Sequence, residues 1–273
     1  MNKKMLIWII PLALAAVSFT YKTGKMSNMP CTSVNNTFSH GESLTYKVYY
    51  NLGLLWIPAG EIDFSVQENH DSYELKALGK TYPSYESVFK VNDYFYSKID
   101  KTTLLPRNFV RIVEEGNYRL YDSINFEQDK NIAYTYQGKT KNTTTVQALR
   151  YDGCMQDLVS NLYKLRTTDL NHYGKGDKMN LQMMLDKEIF PISVLIEGKE
   201  KKQIKGLGKF NTVRINPELV VGNVFKKGNK MTIWVSDDMN KVPLLIESPI
   251  AVGSVKMVLK SHKGLRYPLA AKV

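Results

Sequence analysis

Strict alternation of apolar and polar residues is the feature that most constrains this chain. Glu61-Ile62-Asp63-Phe64-Ser65-Val66-Gln67 alternates without a break, which puts Ile62, Phe64 and Val66 on one face of an extended segment. Leu44, Tyr46, Val48 and Tyr50 do the same one segment earlier. The pattern recurs in Tyr118, Leu120, Ile124 and Phe126, then in Ile132, Tyr134 and Tyr136. Met179, Leu181, Met183 and Leu185 continue it, and Val255, Met257 and Leu259 close it. Antiparallel strands with one buried and one wet side read this way. Gly116-Asn117 and Gly228-Asn229 suit tight hairpin turns, and Asn69-His70-Asp71, Gln128–Asn131 and Gln137-Gly138-Lys139 are further turn clusters.

One segment has a different period. Met155, Leu158, Val159, Leu162 and Leu165 fall at helical spacing, which predicts a helix over Asp152–Thr168 with Asp152 as its N-cap and Arg166 in its last turn. The expected fold is therefore mainly β, with about nine or ten strands. A long antiparallel meander curls into a barrel-like or half-barrel sheet, and the one central helix packs against its concave face.

The N-terminus predicts export. Lys3 and Lys4 precede Met5–Phe19, an uncharged apolar run too short to span a bilayer comfortably, and small residues follow at its end. The expected organisation is a signal peptide over 1–18, a leader over 19–37 rich in Ser, Asn and Thr, and one β-rich domain over 38–268. A sub-boundary can fall near the 152–168 helix. Cys31 is preceded by Ser27, Asn28, Met29 and Pro30, a poor match to a lipid attachment site, so it is read as not lipidated. Export permits a disulfide between Cys31 and Cys154; two separate thiols are the alternative. No other apolar stretch approaches membrane length, so the mature chain is expected to carry no transmembrane segment.

Motifs for chemistry are missing from the sequence. There is no G-x-S-x-G, no phosphate-binding loop, no C-x-x-C, and the 4 His are solitary, so catalytic residues, cofactors and metal ligands are not expected. Asp237-Asp238 and Glu114-Glu115 are paired carboxylates, read as solvated turn residues. The net charge of +11 is spread along the chain, and its densest patch (Lys199, Lys201, Lys202, Lys205, Lys209) is interleaved with Glu197 and Glu200. A lysine-decorated strand edge fits this better than a nucleic-acid surface. Contact with anionic headgroups is a further reading of the same charge.

Four stretches carry a resemblance. They are Phe38–Tyr46 (FSHGESLTY), Ile57–Glu61 (IPAGE), Gln156–Arg166 (QDLVSNLYKLR), and Ile233–Asp238 running on through Pro243 to Gly253-Ser254-Val255. Their order and spacing resemble the exported bacterial domain-of-unknown-function family 3108, in a version similar to those of gut Bacteroidota. The resemblance implies a periplasmic or cell-surface β-rich protein with no established activity and supplies no catalytic residues. It also suggests a shape similar to the curled sheets of lipoprotein carriers. In such a bacterium, Asp122-Ser123-Ile124 would fit an O-glycosylation acceptor.

Function is expected to be non-enzymatic: binding or carrying a hydrophobic or amphipathic ligand such as a lipid. The alternative is a structural or interaction module with an envelope protein partner; a glycan hydrolase is a third reading. The ligand-binding candidates are Arg166, Trp234, Tyr134, Tyr136 and Met183. Arg166 follows Leu162 by one turn on the apolar helix face, so it needs a carboxylate or an anionic headgroup, and Asp237 is the candidate carboxylate.

Overall fold

The computed structural model describes residues 33–52, 55–87, 89–219, 231–250 and 253–273. The Gly228-Asn229 turn, Cys31, the signal segment and most of the leader lie outside them.

The first arm of the fold is a meander of eight strands. It runs through β1 (Ser43–Leu52), β2 (Leu55–Glu68), β3 (Ser72–Thr81) and β4 (Asn92–Asp100), with a one-turn helix α1 (Pro83–Glu86) between β3 and β4. It continues through β5 (Pro106–Glu115), β6 (Tyr118–Glu127), β7 (Ile132–Gly138) and β8 (Thr145–Arg150). A short β9 (Met155–Gln156) and helix α2 (Leu158–Thr167) follow. The second arm is β10 (Lys178–Leu185), β11 (Glu188–Ile204), β12 (Gly208–Leu219), β13 (Thr232–Ser236), β14 (Pro243–Pro249) and β15 (Ser254–Lys263).

All fifteen strands form one sheet, in the order β8-β7-β6-β5-β4-β3-β2-β1-β15-β14-β13-β12-β11-β10-β9. The arms meet where β1 pairs antiparallel with β15, and among the described residues only the β9–β10 pairing is parallel. The sheet is open: β8 and β9 are its two ends and do not pair. The expected nine or ten strands become fifteen among the described residues; β8, exposed on both faces, carries no one-sided alternation to reveal it.

The predicted parity holds in β1, where Leu44, Tyr46, Val48 and Tyr50 are all buried. One core cluster joins both arms through the helix: Leu75, Ile99, Phe109, Ile124 and Ala133 pack with Met155, Val159 and Tyr163 and with Met183, Met184 and Leu185. A second cluster sets Leu170, Val194, Ile196, Val213, Ile215, Ile233 and Val235 against Leu165 of α2. The helix thus fills the concave side, as expected.

Its start differs from expectation. Asp157, not Asp152, is the N-cap: its carboxylate accepts from the backbone N–H of Val159 and Ser160, each at 2.8 Å, and Ser160 Oγ accepts from Asp157 N–H at 2.8 Å. Met155 and Gln156 are taken instead by β9, opposite Gln182 and Met183. Asp157 is fully buried and accepts from Ser97 Oγ at 2.6 Å, which ties the helix to β4. Burial lifts its carboxyl to about 6 against these hydrogen bonds. The fold also extends past residue 268. The C-terminal residues lie along β12, with Asn211 N–H donating to Ala271 at 2.8 Å and Val273 N–H to Lys209 at 2.9 Å.

Candidate functional site

The five sequence-predicted residues do not converge. Arg166 is 4% exposed and fully occupied: Nη1 donates to Glu42 Oε1 at 2.5 Å, Nη2 to Glu42 Oε2 at 2.9 Å, and Nε and Nη2 to the Asn240 carbonyl at 3.2 and 3.1 Å. Its guanidinium also lies 5.3 Å from the Tyr163 ring centre and 6.0 Å from that of Phe38. Asp237, the expected partner, pairs with Lys199 at 3.0 Å instead. Glu42 wins because β1 starts beneath the last turn of α2, where its two oxygens match the guanidinium fork. Trp234 donates from Nε1 to Glu200 at 2.6 Å, with Lys202 Nζ 3.9 Å from its ring centre. Strand alternation turns it away from Ile233 and Val235, which pack towards α2. In β7 the core-facing residues are Ala133 and Thr135, so Tyr134 and Tyr136 lie on the opposite face. Met183 is a buried core residue.

Ser123 is 8% exposed, set directly between Val110 and Tyr136, so its hydroxyl is covered in the folded chain. Cys154 is in a disulfide, and no described cysteine is free. Much of the lysine patch lies on an edge: on that side β11 pairs with β10 as far as Leu195 and with Gly176 and Asp177 at Ile196, and its stretch from Glu197 onward pairs only with β12.

The most unusual chemistry lies on β5, where Glu114-Glu115 was expected to be a solvated turn pair; Glu115 is instead buried, because it falls on the inward parity of the strand. On β5, Arg111 and Glu115 occupy the same buried parity as Phe109 and Val113. Arg111 is fully buried; Nη2 donates to Asp122 Oδ2 of β6 at 3.1 Å and also to Asp186, at the turn between β10 and β11. Gln137 of β7 donates to the same Asp186 oxygen at 3.0 Å. Arg111 Nε and Nη1, Asp122 Oδ1 and Asp186 Oδ2 are buried with no hydrogen-bond partner among the described residues. Such half-satisfied charged groups are costly to bury.

Beside them, Asp93 of β4 shares a hydrogen bond with Glu115, and its Oδ1 accepts from Glu114 N–H at 3.0 Å. Burial, reinforced by the charge of Asp93, pushes Glu115 up to about 9. Burial lifts Asp93 to about 6 and Asp122 to about 6, each opposed by Arg111. At neutral pH the Asp93–Glu115 pair therefore holds one proton, since two adjacent carboxyls resist ionising together. This dyad could exchange a proton, yet its members are only 8% and 5% exposed.

The missed residues had a sequence signature: charges placed on an apolar parity, as in Phe109-x-Arg111-x-Val113-x-Glu115. Two clefts lie elsewhere. One of about 610 Å³ runs between Asp100, Arg107, Gln128 and Asn131, and one of about 460 Å³ between Asp169, Lys199, Asp237 and Lys241. Both have several charged residues in their lining. Among the described residues, no group of three or more His, Cys, Asp or Glu is placed to hold a metal ion.

Among solved structures, the chain is similar to a β-barrel-like protein of domain of unknown function DUF1849 from Brucella abortus. That match has a TM-score of 0.56 and 8% identity, over 83% of this chain and 98% of the other. A protein from Parabacteroides distasonis, provisionally described as a lipoprotein, matches with TM-score 0.33 and 13% identity over 86% and 100% of the two chains. A Bacteroides fragilis protein, provisionally described as exported and of YmcC-like fold, gives 0.32 and 11% over 85% and 99%. The first supports the barrel-like fold. No curated protein matches. The family model described as Protein of unknown function (DUF3108) aligns with residues 45–260, most of the sequence and both arms of the sheet, so the chain belongs to that family.

Proposed function

We propose that this chain is an exported, non-enzymatic module that works through its surface in an envelope assembly, rather than by enclosing an amphipathic ligand. The observation carrying this reading is the occupied concave face. Val159 and Tyr163 of α2 and Met155 of β9 pack there against strands of both arms, leaving side chains where a carrier would leave a cavity. Arg166, the expected headgroup contact, is bound by Glu42 and Asn240. Export is supported by the basic start and short apolar run of residues 1–19, and by the disulfide at Cys154, which suits an oxidising compartment. The buried Asp93–Glu115 pair fits a structural proton store better than a catalytic acid and base, because a substrate needs access to both.

Native mass spectrometry of protein purified from its own host tests the proposal. A stable protein partner on a lipid-free chain is the expected outcome. A lipid retained at one molecule per chain would overturn it in favour of a carrier.

A further inference from the structure

The β1–β2 and β14–β15 hairpins end side by side. Ser254, the first residue of β15, stands opposite both Asn51 and Pro249. Gly253, at φ +83°, sits so close to the neighbouring hairpin that a Cβ there would lie 2.5 Å from the Asn51 carbonyl oxygen. This end of the sheet carries consecutive exposed apolar residues, Leu55 at 69% and Trp56 at 37%. Behind them is a layer of aromatics and lysines. Lys256 Nζ lies 4.0 Å from the Trp56 ring centre and 5.7 Å from that of Tyr49, and Lys47 Nζ lies 5.5 Å from Tyr49. Among the described residues neither lysine comes within salt-bridge distance of a carboxylate, although Glu247 stands across from Lys256 on β14 and Glu61 stands across from Lys47 on β2, within reach of its charge. Glu61, at the level of Lys47, pairs with Lys260 at 2.7 Å, and Tyr82 donates to the same carboxylate at 2.7 Å.

The sequence of layers from the tip inward is apolar, then aromatic beside Lys256, then Lys47 and Lys260 around the single carboxylate of Glu61, which leaves the three lysines in excess of the acids paired with them. A membrane interface has the same order: acyl boundary, headgroup level favouring Trp and Tyr, and an anionic surface attracting Lys. We propose that this end of the sheet docks peripherally on a bilayer carrying anionic lipids. Leu55 and Trp56 enter the interface, and Lys47 and Lys256 meet the headgroups. The inference goes beyond the function proposed above, since a module can assemble with proteins without touching lipid.

The N-terminal apolar run can itself hold the full chain to a vesicle, so the readout is specific to Trp56. A Trp8→Phe chain keeps Trp56 and Trp234, the second being only 6% exposed. It is mixed with phosphatidylcholine vesicles bearing brominated acyl chains, with or without phosphatidylglycerol. The expected result is fluorescence quenching on phosphatidylglycerol vesicles that disappears when Trp56→Phe is added. Lys47→Gln with Lys256→Gln should weaken the apparent affinity about 25-fold, from roughly fivefold per lysine near an anionic surface. Equal quenching on neutral vesicles, or quenching that survives Trp56→Phe, would overturn the proposal. So would a lipid-free dimer that shields Trp56 and leaves it unquenched, because the occupant would then be a second copy.

Discussion

Arg166 and Glu42, 124 residues apart in sequence, form a two-pronged buried ion pair that fixes the end of the central helix to the residue leading into the first strand of the sheet. Both groups are out of water, so removing one strands the other. Glu42→Ala should lower unfolding free energy by about 3–5 kcal/mol, and Arg166→Ala by a similar amount. The double variant should cost less than the sum of the singles. Asp237→Ala, which frees only an exposed Lys199, should stay within about 0.5 kcal/mol. Urea denaturation of the four variants checks this, and additivity of Glu42→Ala with Arg166→Ala would refute the pairing.

The contrast between those carboxylates shows what the sequence could and could not reveal. Period-two patterning locates strands because burial on one face is a local property of alternate residues; β1 was legible for that reason. Choosing the inner face is harder. In β7 the larger apolar residues Tyr134 and Tyr136 are outward, because the side beneath the helix accepts only Ala133 and Thr135. The true helix start was also written locally, as Asp157-x-x-Ser160, but Met155 happened to continue the helical spacing and obscured it. Glu42 was not legible at all. Its role depends on two distant segments meeting, which no window of sequence records.

Stability should fall as pH rises from about 5 to about 9. Burial raises Glu115 to about 9 and Asp93, Asp122 and Asp157 to about 6, whereas unfolded carboxyls titrate near 4. Across that window the folded chain binds protons that the unfolded chain has released, so the slope of unfolding free energy against pH is negative. Glu61, held down chiefly by its hydrogen bond from Lys260, acts in the opposite sense, but only below the ordinary carboxylate range. Glu115→Gln should flatten the curve above neutrality. Urea midpoints measured across this range decide it; a midpoint rising from pH 6 to 9 would contradict the buried proton.

Asp186 acts as a latch across the open sheet. It lies at the tip of the β10–β11 hairpin yet contacts Arg111 of β5 and Gln137 of β7, while neighbouring Lys187 reaches Thr145 of β8. Side chains therefore join two ends that share no backbone ladder. Asp186→Ala should cost about 3 kcal/mol by leaving Arg111 with a single carboxylate. Amide exchange should rise first in β8 and the β10–β11 hairpin. Uniform acceleration across the sheet would show that the seam has no separate opening.

Two glycines separate backbone strain from close approach. Gly253 and Gly153 both have positive φ, +83° and +76°. An added Cβ at Gly153 meets nothing within 4 Å, whereas at Gly253 it meets the Asn51 carbonyl at 2.5 Å. Gly153→Ala should therefore cost only the left-handed strain, of order 1 kcal/mol. Gly253→Ala carries the same strain and must also push the β14–β15 turn away from β1, so its cost should exceed the first by at least another ~1 kcal/mol. The displacement would also separate Lys256 from Trp56, whose 4.0 Å contact depends on β1 and β15 staying in register. Denaturation of both variants, with Trp56 fluorescence as the local reporter, checks the claim. Equal losses with unchanged fluorescence would show that the two hairpin ends move independently.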